Sequence, residues 1–166
     1  MRGSGHKATG PSAALFSALW ISWMPPTASS AEYTPLLPAM IAALTTTTAP
    51  DWLEPPFLPH RTLTHWPPIW LILPYAIGSF LHTTHLSPTA QALLTSLSFG
   101  FSAGCLMHIL TDAPNPMGIP WILPWKRWSP KWWKSGQYEI TQVIALTTIA
   151  LLLCKQYPPN WHHLLP

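Results

Sequence analysis

The chain has 166 residues, of which 8% are charged, and a formal net charge of +3 at neutral pH. An average soluble domain carries about 25% charged residues, so this composition excludes a polar-coated globule and makes the bilayer the natural solvent for one domain over residues 1–166. With no basic run, Gly-rich phosphate loop or CxxC pair, the chain offers no footing for a P-loop enzyme or a zinc ribbon, and no nucleic-acid partner is expected.

Five apolar segments follow in order: 9–24, 35–50, 67–82, 88–111 and 140–157. Their length and lack of strict alternation predict helices rather than barrel strands. A full span takes about 20 apolar residues. The fourth segment is comfortably that long; the second and third would be tilted, partly inserted or packed inside a bundle. The expected fold class is all-α, an integral membrane bundle of four to five hydrophobic helices. Arg2, Lys7, the first apolar run and TASSA at 27–31 resemble a cleavable signal peptide, but a retained first helix is the favoured reading. Cys105 and Cys154 lie in apolar stretches and read as small buried hydrophobes.

Trp52, Trp66, Trp121, Trp125, Trp128, Trp132 and Trp133 sit at segment ends, where an amphipathic ring prefers headgroup depth. Residues 120–134, PWILPWKRWSPKWWK, combine four cations with five tryptophans. They read as an anchor in membrane lipid, or as one that also grips an anionic headgroup.

Threading the five segments up and down brings His6, Asp51, His60, His65, His108, Asp112 and Glu139 to one membrane face, from five places in the sequence. Arg2, Lys7, Arg61, Lys126, Arg127, Lys131 and Lys134 fall on that same face. The opposite loops, 25–34 and 83–87, hold no Lys or Arg, and only Lys155 lies at that end. By the positive-inside rule the polar face of this multi-pass membrane protein is cytoplasmic.

The chemistry of that face is metal-competent. His108 and Asp112 are four apart in MHILTD, on one side of a helix, which suits two ligands of one ion. His60 and His65 are five apart in HRTLTH, so they converge only in a non-helical loop. Pro67 and Pro68 place a helix start just after it. For His108 and Asp112 alone a structural hydrogen bond serves as well as a metal, and the structural alternative for Arg61 is a pair with Asp51. Imidazoles and carboxylates near a bilayer are costly and tend to be functional, so it is their convergence that favours a metal.

The motifs Gly5-His6, Pro50-Asp51, His60-Arg61-Thr62-Leu63-Thr64-His65, His108-Ile109-Leu110-Thr111-Asp112, Asn115-Pro116-Met117-Gly118-Ile119-Pro120 and Gly136-Gln137-Tyr138-Glu139 run in order along the chain. Together they resemble the YdjM-type family of membrane-bound metal-dependent hydrolases, an inner-membrane domain of unknown function. The family pattern reads GH, PDxD, HRGxTHS, (S/H)HxxxD with TPxG, and GxxE. This chain departs from it at Leu53, which replaces the second Asp of PDxD, and at Thr62, Trp66 and Met107. One metal or two, or an inactive relative, are the alternatives that Leu53 leaves.

The resemblance and the convergent residues imply a hydrolase with a divalent metal. His60, His65, His108 and Asp112 form the ligand core, and Asp51 and His6 complete it or bind a second ion. Glu139 is expected as general base or further ligand, and Arg61 as the group that stabilises developing negative charge. Zinc suits the imidazoles, with manganese as the alternative. The nearby cations and tryptophans point to a lipid-linked or phosphate-bearing substrate. The rival expectation is a non-enzymatic membrane scaffold or regulator with a structural polar cluster.

Overall fold

A computed structural model describes residues 3–23, 35–57, 61–132, 134 and 137–159 of the chain. Among them are seven α-helices: α1 Gly3–Ala8, α2 Gly10–Ser22, α3 Leu36–Thr45, α4 Ala49–Trp52, α5 Pro67–His82, α6 Pro88–Asp112 and α7 Glu139–Gln156. A single 3-10 turn, Leu63–His65, leads into α5. Two short strands, β1 Ile119–Pro120 and β2 Arg127–Trp128, pair antiparallel after α6.

Proline sets several of the starts. Helices α2, α4, α5 and α6 each carry Pro in the first two positions, where its missing N–H is no loss. Ser87 caps α6 by accepting from the Ala90 N–H at 3.3 Å. The expected second segment, 35–50, is divided. Helix α3 stops at Thr45, a turn follows, and α4 begins at Ala49. Thr45 and Thr46 hydroxyls donate back to Ala42, the latter at 2.8 Å. A run of β-branched threonines bonding to their own backbone disfavours continuing the helix.

Helix α6 is the axis of the structure and packs against α2, α3 and α5. Its contact with α3 is built on small residues. Ser96, Gly100 and Gly104 lie four apart along one ridge, and the Ser96 hydroxyl donates to the Pro35 carbonyl. A Cβ at Gly100 would overlap the Ala39 backbone, and one at Gly104 would overlap Thr46. Small residues at this spacing let two helix backbones approach closely. The same i, i+4 ridge continues into His108 and Asp112. Close packing against α3 and the polar site are therefore successive parts of one ridge. Farther down, Trp20 meets Phe99 edge to face at 5.1 Å, and its indole N–H donates to the Tyr75 hydroxyl at 2.8 Å. This ties α2, α5 and α6 together.

Among the described residues two helices are long and apolar enough to cross a membrane, α6 and α7. They differ in surroundings. Over the most apolar window 61% of α6 is buried within the protein, against 6% of α7. Ile140, Ile144, Ile149, Leu151 and Leu152 of α7 stay exposed, a surface that lipid rather than water suits. Helices α2, α3 and α5 are shorter, at 13, 10 and 16 residues. Cys105 is buried and both cysteines are free thiols. TASSA at 27–31 lies outside the described residues.

Candidate metal centre

Four parts of the chain meet at the end of α6. Helix α1 brings His6, α4 brings Asp51, the 3-10 turn brings His65, and the last turn of α6 brings His108 and Asp112. His6, His65, His108 and Asp112 are all at most 1% exposed. The Asp51 side chain is 42% exposed, so it forms the open side of the cluster.

The hydrogen bonds fix which nitrogen of each ring faces inward. His108 Nδ1 lies 2.8 Å from the Thr47 carbonyl. A carbonyl only accepts, so Nδ1 carries the hydrogen and Nε2 the lone pair. The Thr111 hydroxyl donates to the His108 carbonyl at 2.8 Å, which uses its one hydrogen. It therefore accepts from His6 Nδ1 at 3.0 Å. The Thr64 hydroxyl reaches Glu54 Oε1 at 3.5 Å and His65 Nδ1 at 3.1 Å. Donating to the carboxylate, it accepts from the ring. All three histidines thus hold Nδ1–H on the chain and turn Nε2 toward one small space.

That space has the spacing of a coordination site. His65 Nε2 lies 3.2 Å from His108 Nε2. Asp51 Oδ1 lies 3.4 Å from the first and 3.3 Å from the second. Asp112 Oδ2 is 3.9 Å from His65 Nε2 and 3.6 Å from His108 Nε2. Ligands about 2.0–2.1 Å from a tetrahedral ion sit roughly 3.3–3.4 Å from one another. Two donor groups, His6 with Asp51 and His108, and His65 with His108 and Asp112, each keep their ligand atoms within 4.8 Å.

Electrostatics point the same way. Burial, with His108 beside it, pushes the His6 imidazole down to about 3. Burial also lowers His65. Both rings are therefore neutral at neutral pH. Neutral rings with their lone pairs turned toward each other and toward carboxylate oxygens repel unless a cation lies among them. The donor set fits a divalent ion, and the groups holding each Nδ1 are those that orient ligating imidazoles.

Arg61 is set into this cluster. Its Nη2 donates to Asp112 Oδ2 at 2.8 Å, and Asn115 donates to Asp112 Oδ1 at 2.8 Å. The expected alternative pairing with Asp51 is corrected: the loop folds Arg61 under the end of α6 rather than out along α4. Its φ is 62°, the left-handed region that a bulky residue rarely adopts. The Glu54 carboxylate holds it there by accepting the Arg61 N–H at 2.5 Å.

A family model described as YdjM inner membrane protein matches residues 1–165. The chain belongs to the YdjM family. No curated protein and no solved structure is significantly similar to it.

Among the residues expected at the site, this YdjM-family chain brings together His6, Asp51, Arg61, His65, His108 and Asp112. His60 lies outside the described residues. Glu139 opens α7, half-buried, and belongs to neither donor group. Leu53, at the position of the missing family Asp, ends α4 and is 40% exposed. The next residue, Glu54, went unremarked in the sequence. It accepts from Arg61 N–H, Thr62 N–H and the Thr64 hydroxyl, and stands 3.9 Å from His65 Nδ1. Its signal was a carboxylate one residue beyond the lost one.

Proposed function

We propose that this YdjM-family protein is a membrane-bound metal-dependent hydrolase with its site at the cytoplasmic face. The observation that carries the reading is the shared orientation of three imidazoles. Each anchors Nδ1 on the chain and turns Nε2 toward the carboxylates. His65, His108, Asp51 and Asp112 are the residues that would hold the ion, with His6 completing the set or, with His108 and Asp51, holding a second. Imidazole donors favour zinc, with manganese the alternative. When bound, such an ion acts as a Lewis acid and activates water near neutral pH.

The chain's own groups have distinct tasks. Thr47, Thr111 and Glu54 with Thr64 fix the three rings. Asn115 and Arg61 hold Asp112 in place. Asp51 leaves the cluster open to solvent and substrate. Arg61 is placed to meet negative charge as it develops. Glu139 is the candidate proton acceptor. Tyr138 and Gln142 beside it line a cavity of about 380 Å³ with Thr111 and Pro114, so the start of α7 adjoins the end of α6.

The membrane reading is multi-pass. Helices α6 and α7 cross, and α2, α3 and α5 complete a bundle around α6. The one-sided Lys and Arg support a cytoplasmic position for the cluster at the inner membrane. Trp121, Trp125 and Trp128 are exposed on the β1–β2 hairpin beside Lys126 and Arg127, a surface suited to headgroup depth. Trp66, next to His65, donates to the Ile122 carbonyl at 3.0 Å and ties that hairpin to the site. That placement supports a lipid-linked or phosphate-bearing substrate.

The rival, a scaffold whose polar cluster is structural, draws on the exposed Leu53 and the Arg61–Asp112 pair. It offers no cation for the facing Nε2 lone pairs. The test of the enzyme is release of phosphate or headgroup from lipid in mixed micelles with zinc or manganese. Turnover that His108→Ala abolishes supports it; turnover unchanged by that substitution contradicts it.

A further inference from the structure

Arg61 and Thr62 carry three buried polar atoms with no hydrogen-bond partner among the described residues: Nε and Nη1 of Arg61 and Oγ1 of Thr62. Buried polar groups are nearly always paired. Three on adjacent residues, beside a donor cluster that is itself fully arranged, mark a place where a ligand supplies acceptors.

The guanidinium is not idle for want of order. Arg61 is only 6% exposed. Asp112 fixes Nη2 from one side, and Asn115 fixes Asp112 in turn. On the main chain, Glu54 accepts both the Arg61 and Thr62 N–H groups, which holds Arg61 at its left-handed φ of 62°. Strain kept at a site by surrounding bonds is a mark of a positioned functional group. Both remaining guanidinium nitrogens are donors only, and the side chain keeps its full charge at any physiological pH.

The ligand must therefore be an anion with several oxygens. A carboxylate offers two oxygens confined to one plane. A phosphate group has an oxygen for each, and arginine matches phosphate better than lysine does because its donors are spread over a rigid plane.

We propose that Arg61 and Thr62 bind a phosphate group of the substrate, next to Asp112. Taking that group as part of a substrate rests on the hydrolase reading; the binding itself does not. A lipid phosphate headgroup and a soluble phosphate ester share this chemistry.

The test uses the full chain purified in detergent, with metal content measured on every preparation. Inorganic phosphate is titrated calorimetrically into wild type, Arg61→Lys and Thr62→Val. Saturable binding is expected, weakened about tenfold or more in each variant, the range for losing a hydrogen bond to a charged group. Thr62→Val keeps shape and touches no metal donor, so its metal content should match wild type. Displacement of phosphate by phosphatidic acid in mixed micelles, but not by phosphatidylcholine, would support the site and identify the ligand as a lipid headgroup. Saturable phosphate binding without that displacement would support the site for a soluble ester. No saturable binding, binding unchanged in both variants, or acetate bound as tightly as phosphate would overturn the proposal. Failure to bind phosphate in protein that holds its ion would leave the hydrolase reading standing. Phosphate binding in protein that holds no ion would remove the hydrolase reading and leave this site.

Discussion

His65 and His108 face each other Nε2 to Nε2 at 3.2 Å, from a loop turn and a helix 43 residues apart. Each ring is held there by its other nitrogen, His65 through Thr64 and His108 through the Thr47 carbonyl. With Nδ1 of each ring held on the chain, the facing Nε2 pair and the carboxylates beside it form a place where a cation can be shared.

Glu54→Gln should weaken metal binding about 10- to 100-fold, the usual cost of losing a carboxylate that orients ligands. Glutamine keeps an acceptor for the Arg61 N–H but loses the charge that draws the Thr64 hydroxyl and, through it, His65. Competition with a chelator of known affinity measures the change. Unaltered affinity would reduce Glu54 to a loop contact.

Two glycines give opposite expectations for stability. In Gly100→Ala the new methyl overlaps the Ala39 backbone of α3. The cost of overpacking, about 1–3 kcal/mol, outweighs the gain in helix propensity of about 1 kcal/mol, so the unfolding temperature in detergent should fall. In Gly78→Ala the methyl meets Thr95 at an ordinary 3.6 Å, and the temperature should hold or rise. A rise in Gly100→Ala would mean that α3 and α6 do not approach as described.

Much of this arrangement is legible in the sequence, and for physical reasons. Hydropathy alone marks the helices, since five apolar runs correspond to α2, α3, α5, α6 and α7. The four-residue spacing of His108 and Asp112 is a property of any helix, so their shared face is readable. The ridge Ser96, Gly100, Gly104 emerges only with the structure, because spacing alone does not say which helix packs against it. The loop residues are another matter. Arg61 was assigned Asp51 as its alternative partner because sequence does not say which way a non-helical loop folds; the left-handed φ at Arg61 turns its side chain to Asp112 instead. Glu54 was hidden because Arg61 and Thr62 meet it through backbone N–H groups, which leave no trace in residue identity. The break between α3 and α4 was written in the threonine run, but an apolar count does not see it.

The one-sided distribution of Lys and Arg predicts a cytoplasmic hairpin. A cysteine placed by Pro130→Cys, in a chain lacking Cys105 and Cys154, should be shielded from a membrane-impermeant thiol reagent in intact cells and labelled after permeabilisation. Labelling in intact cells would put the hairpin, and the cluster tied to it through Trp66, on the outer side.

The most direct measurement is the metal content of detergent-purified protein, wild type against His65→Ala/His108→Ala. The account predicts about one transition-metal ion per chain in wild type, zinc first, and next to none in the double variant, with both proteins folded by circular dichroism. Equal metal content in the two, or none in wild type supplied with zinc and manganese, would contradict it.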